Sequence, residues 1–195
     1  MRTAAWIALA FALGIGPASA QPVTEMGPAR VEEAVKAGLK ATSAELKQYE
    51  LKTAANWTLN FDTPFLRIVQ HVAALKKKGI EATAAEVPAA VTSPEIHVYA
   101  HARLPEDAKA RVPDVDHVVV LRPRGGGTPE RIQPLWAQGF IRQVPNELYA
   151  TRIARSVKAV FPLSVLAAGN SICVTFVDGS QATVPIEASD LAQVR

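Results

Sequence analysis

His97 and His101 stand four residues apart, a spacing that on a helix would place two imidazoles one turn apart and ready for a metal ion. The residues around them alternate instead: Ile96, Val98, Ala100 and Ala102 on one side, His97, Tyr99, His101 and Arg103 on the other, which is the pattern of a strand. On a strand four residues span about 13 Å, too far for two nitrogens each about 2 Å from one ion. Both rings share a face, so a metal site on His97 and His101 would need a cross-strand donor such as His117. The metalloprotease pattern also needs a glutamate directly after its first histidine, and Val98 stands there.

The string Arg122-Pro-Arg-Gly-Gly-Gly-Thr-Pro-Glu-Arg131 is the other place where chemistry could gather. The amides of Gly125, Gly126 and Gly127 could surround a phosphate or carboxylate, with Arg122, Arg124 and Arg131 supplying charge and forked donors. Thr128-Pro129 could cap a short helix whose N-terminus faces the same anion. The string lacks the Gly-Lys-Ser/Thr ending of a P-loop and the G-x-G-x-x-G register of a dinucleotide site, and a solvated arginine loop explains it as well.

Nucleophile motifs are absent: the sequence has no G-x-S-x-G elbow, no S-x-x-K and no C-x-x-C. Cys173 falls inside a strand pattern, opposite Val184 across an expected hairpin, and reads as a buried inert thiol. Asp114 and Asp116 would lie about 6.6 Å apart on one strand face and could work as an acid and base pair, although their place beside Pro113 suits a turn. Asn56-Trp57-Thr58 matches a glycosylation acceptor.

The elements that must position these groups begin with a helix from Pro28 to Lys40, where Val31, Val35 and Leu39 form a stripe. Thr42 and Glu45 have the spacing of a capping box that opens a second short helix. Trp57, Leu59 and Phe61 then alternate with polar residues as in a half-buried strand. A second clear helix starts at Thr63-Pro64, carries Phe65, Ile68, Val69, Val72 and Leu75 on one face, and stops at Lys76-Lys77-Lys78-Gly79. Thr83 and Glu86 repeat the capping-box spacing.

From Glu95 onward strands dominate: Glu95 to Arg103, Val115 to Arg122, and at least one within Ile132 to Val144. Arg152 to Phe161 fits a helix through Ile153, Val157 and Val160, but the alternation of Val157, Ala159 and Phe161 tips the reading to strand. Ser171 to Val177 and Ser180 to Ile186 form a hairpin across Asp178-Gly179, read as a two-residue type I′ turn. The expected fold is α+β, with N-terminal helices packed on a mainly antiparallel β-sandwich, immunoglobulin-like in general architecture.

Residues 1–20 read as a cleaved export signal: Arg2 leads an apolar run that breaks at Gly16-Pro17 and ends in Ala18-Ser19-Ala20, so the mature chain is expected to start at Gln21. The run is shorter than the twenty or so residues a membrane span needs. Residues 21–90 are expected to form a helical segment with one strand, and 91–195 the β-sandwich-like region.

One cysteine in 195 residues rules out an intramolecular disulfide. Net charge is only +3 and spread thinly, which argues against a nucleic-acid partner. No cofactor and no integral membrane segment after the signal are expected. Together these features point to an exported, periplasmic or secreted, non-enzymatic binding or envelope-associated module with an anionic ligand or envelope component as partner. The competing reading is an exported hydrolase or metal-binding protein built on the face around His97, Tyr99 and His101.

Overall fold

A computed structural model describes residues 26–51, 57–102, 113–144 and 152–193. The expected signal segment and Asn56 of the glycosylation motif lie outside the described residues. Those residues form an α+β fold of two antiparallel sheets with nine strands and four α-helices.

Helix α1 (Pro28–Lys40) and helix α2 (Pro64–Lys77) occupy the positions their apolar stripes predict. Thr63 caps α2 by accepting from the Leu66 amide at 3.2 Å, and Pro64 takes the first helical position, where its missing N–H costs nothing. The stripes meet, burying Val31 and Val35 against Phe65, Ile68, Val69 and Val72. Gly38 lets them approach closely: a Cβ there would lie 2.7 Å from Val72 Cβ and 2.9 Å from the Val69 carbonyl.

The first sheet has the order β1-β2-β3-β7-β6, from β1 (Tyr49–Leu51), β2 (Trp57–Asp62), β3 (Glu95–Ala102), β7 (Arg152–Pro162) and β6 (Trp136–Val144). The second has the order β5-β4-β8-β9, from β5 (Glu130–Ile132), β4 (Val115–Arg122), β8 (Ser171–Phe176) and β9 (Gln181–Pro185). Their facing sides share one core. Leu59, Phe61, Ile96, Val98, Val157 and Phe161 from the first sheet join Val115, Val118, Val120, Ile172 and Val174 from the second. Short helices α3 (Ala89–Thr92) and α4 (Ala188–Gln193) flank these strands in sequence.

Several local expectations are revised. Residues 21–90 supply two strands, β1 and β2, where one is expected, and β2 pairs along its whole length with β3. Thr42 and Glu45 do bond, with the Glu45 carboxylate accepting from the Thr42 amide at 2.7 Å, but they close a turn and open no helix, because no apolar run follows to bury. The Phe176 amide donates to the Ser180 carbonyl, so the loop between these two residues has three residues, Val177-Asp178-Gly179, not two. The Gly179 amide donates to the Phe176 carbonyl, and Gly179 itself has φ +83°, so the hairpin closes through a bulge at the glycine. The extra residue shifts the register, and Cys173 faces Thr183 while Val184 faces Ile172.

Candidate functional site

The alternation of β3 turns Ile96, Val98 and Ala100 inward and leaves His97, Tyr99 and His101 on the outer face of the first sheet. Register decides what lies beside them. Asp62 on β2 is opposite His97, and Val160 and Trp136 continue that row across β7 and β6. The next row runs Asn60, Tyr99, Lys158, Gln138, and Thr58 lies opposite His101 one step further along.

This outer face combines a basic centre with aromatic and hydrogen-bonding groups. Lys158 Nζ lies 5.5 Å from the centre of the Tyr99 ring and 5.7 Å from that of Trp136, within reach of both π faces. Trp136 is 48% exposed, which leaves ring surface open to a ligand. Desolvation pushes the Tyr99 hydroxyl above its ordinary pKa; the Asp62 charge adds to the rise and Arg67 opposes it. The phenol therefore stays a neutral donor throughout the physiological range.

At the end of the face, Asp62 Oδ2 lies 3.8 Å from His97 Nδ1, an ion-pair distance rather than a hydrogen bond. Asp62 is buried, and its Oδ1 has no hydrogen-bond partner among the described residues. Arg67 frames this end from α2. Its guanidinium donates to the carbonyls of Asp62, Val91, Ser93 and Glu95, at 2.7 to 3.3 Å. Burial draws its pKa below the usual arginine range, against the pull of Asp62, Glu95 and Tyr99. Ser156, opposite Phe140, is fully buried, and its Oγ has no hydrogen-bond partner among the described residues.

Placed on this map, the residues singled out from sequence divide. His97 and His101 share the outer face as expected, but His117 stands on β4 in the other sheet, where its Nδ1 is 3.0 Å from Asp116 Oδ2. The three histidines are not gathered, and no group of three His, Cys, Asp or Glu that could hold a metal occurs among the described residues.

The glycines form the tip of the β4–β5 hairpin, with the Gly127 amide donating to the Arg124 carbonyl and Gly126 at φ +77°. Arg122 and Arg124 converge, but on the protein's own anion: Glu130 Oε2 is 3.7 Å from Arg122 and 3.6 Å from Arg124. Arg131 pairs with Leu121, one step out of phase with the Arg122 and Glu130 pair, so its side chain leaves from the opposite face. After Thr128-Pro129 the chain enters β5, which removes the expected helix N-terminus.

The two aspartates of the possible acid and base pair are engaged with Arg155. Asp114 Oδ1 accepts from its backbone amide at 2.7 Å, and Asp116 Oδ1 lies 3.6 Å from its guanidinium. The hydrogen bond from His117 is the main cause holding the Asp116 carboxyl below its ordinary pKa. Cys173 is buried in β8.

Sequence reading missed Asp62, Lys158 and Trp136. A signal for Lys158 was present: it alternates with Val157 and Ala159, so a strand there puts it outside. A separate groove of about 540 Å³ between β1 and α2 is lined by Tyr49, Phe61, Phe65, Leu66 and Val69 together with Lys47 and Glu50.

No protein-family model and no curated protein matches the chain. Among solved structures, a protein of unknown function from Burkholderia pseudomallei is similar over 85% of this chain and 90% of its own length. The identity is 11% and the TM-score 0.38, a likeness that carries no argument about function.

Proposed function

We propose that this chain is an exported, non-enzymatic binding module that holds an acidic, hydroxyl-rich ligand, such as an anionic glycan of the cell envelope, on the outer face of its five-stranded sheet. The observation that carries this reading is the Lys158 ammonium between Tyr99 and the exposed Trp136. An aromatic ring offers the apolar face of a sugar a stacking surface, and the cation between the rings would meet its carboxylate. Gln138 and Asn60, in the same cross-strand row, are amide side chains suited to hydroxyl groups.

Export rests on the pattern of residues 1–20, and N-terminal sequencing of the exported chain should begin at Gln21. Among the described residues no helix is long and apolar enough to cross a membrane. Two antiparallel sheets sharing one core support the finer fold reading as well, helices packed on an immunoglobulin-like sandwich.

The test is calorimetric titration with an oligouronate and with its neutral, carboxyl-reduced counterpart. The acidic sugar should bind, weakening as salt rises, and binding should be lost in Trp136→Ala and in Lys158→Ala. Equal binding of both sugars, or none of either, overturns the ligand assignment. One observation favours a hydrolase instead: the buried Asp62 beside His97. That reading requires hydrolytic turnover that disappears in Asp62→Asn and in His97→Gln, whereas the binding reading requires none.

A further inference from the structure

We infer that β6 is a self-association edge, through which two copies of this chain join their five-stranded sheets into one continuous sheet. The strand is last in its sheet and pairs with β7 alone, so its other side presents unpaired N–H and C=O groups among the described residues. Such edges are normally blunted by proline, by several charges or by a bulge. From Trp136 to Val144 there is no proline and one charge, Arg142, and nine residues pair with β7 in unbroken register. Exposed apolar side chains collect on the same arm: Leu135, Trp136 and Ile141, with Ile153 on the adjoining strand.

The occupant is a second copy because β6 complements itself. The antiparallel register that pairs all nine residues has its two-fold axis at Phe140. That register places each Arg142 opposite a neutral Gln138, whose amide oxygen can accept from the guanidinium, and opposes no like charges. It also sets Ile141 opposite Gly139, the one position on the strand without a side chain, over which the Arg155 guanidinium lies with its Nε 3.3 Å from where a Cβ would stand. A slip that centres the axis on Arg142 would oppose two guanidinium groups and leave half the strand unpaired. The interface is argued from the free edge of β6 and not from the ligand proposal, although Trp136 and Gln138 belong to both surfaces.

Sedimentation velocity of the full chain at micromolar concentrations should show a dimer. Gln138→Arg, which creates two like-charge pairs, should weaken it by roughly tenfold, and Gln138→Glu, which creates two opposite-charge pairs, should tighten it by a similar factor. In a Cys173→Ala background, Phe140→Cys should form an intermolecular disulfide on mild oxidation, because the two-fold axis sets that position opposite itself, whereas Ala137→Cys should not. A monomer at high concentration overturns the inference. So does a dimer indifferent to the charge at position 138, or one that oxidises equally through both cysteines.

Discussion

Arg67 Nη2 donates to the carbonyl of Ser93 at 2.7 Å, joining the second helix to the segment that leads into β3. The same guanidinium also serves the carbonyls of Asp62, Val91 and Glu95, so one side chain fixes both β2, which carries Asp62, and β3, which carries His97, at the end of the candidate face. Arg67→Met should keep the packed stem and lose the donors, stranding carbonyls in a buried site. We expect a loss of about 2 to 4 kcal/mol in denaturant unfolding, at the upper range of single substitutions. Arg67→Lys should also destabilise, since an ammonium cannot reproduce the planar fork. An Arg67→Met protein as stable as the parent would show that these carbonyls find other partners.

Gly38 gives a second test, one in which two effects of opposite sign compete. Replacing an interior helical glycine with alanine should gain up to about 1 kcal/mol from helix propensity. Here the new Cβ would sit 2.7 Å from Val72 Cβ and 2.9 Å from the Val69 carbonyl, a backbone atom that cannot move aside alone. The helices must separate, at a cost of roughly 1 to 3 kcal/mol. Gly38→Ala should therefore lower the unfolding midpoint; a rise would mean the helix pair is looser than described.

Elements with a strong period were legible in the sequence, and what depended on pairing across the fold was not. Pro28–Lys40, Pro64–Lys77 and the β3 alternation follow from local apolar spacing. The alternation of Val157, Ala159 and Phe161 reads as the strand that forms, which puts Lys158 outside, but the row that sets Lys158 between Tyr99 and Gln138 depends on register across three strands and is not local. Local alternation makes Asp62 one more polar residue of a half-buried strand, yet Thr58 and Asp62 are both buried on the outer side of β2. The arginine loop showed its cations in sequence but not its occupant, since the opposition of Arg122 and Glu130 depends on hairpin register.

The β8–β9 hairpin makes that dependence on register measurable. Gly179 has φ +83° and closes a three-residue loop, and the Asp178 carboxylate accepts from the Ser180 amide at 3.0 Å. A branched residue reaches that backbone region only with strain, so Gly179→Val should cost about 1 to 3 kcal/mol. Gly179→Asn should cost less than about 1 kcal/mol, because asparagine tolerates the left-handed region. Equal losses for valine and asparagine would locate the effect in side-chain bulk instead of backbone conformation.

The last expectation concerns alkaline pH. Tyr49 donates its hydroxyl to Asp190 Oδ1 at 2.8 Å, which ties β1 to α4. Burial, followed by the hydrogen bond and charge of Asp190, pushes this phenol from an ordinary value of 10 up to about 12. A raised folded-state pKa means that the folded chain keeps its proton while the unfolded chain has released it. The contribution is thus complete below pH 10 and is lost as pH rises from 10 through about 12. Denaturant midpoints should fall across that window in the parent and fall less in Tyr49→Phe; the remaining decline would include Tyr99, whose pKa burial also raises. Asp190→Asn removes the charge but keeps an acceptor, so it should lower the Tyr49 pKa without abolishing the shift. Spectroscopic titration that finds Tyr49 ionising at 10, as a free phenol does, would show that the β1–α4 contact does not persist in solution.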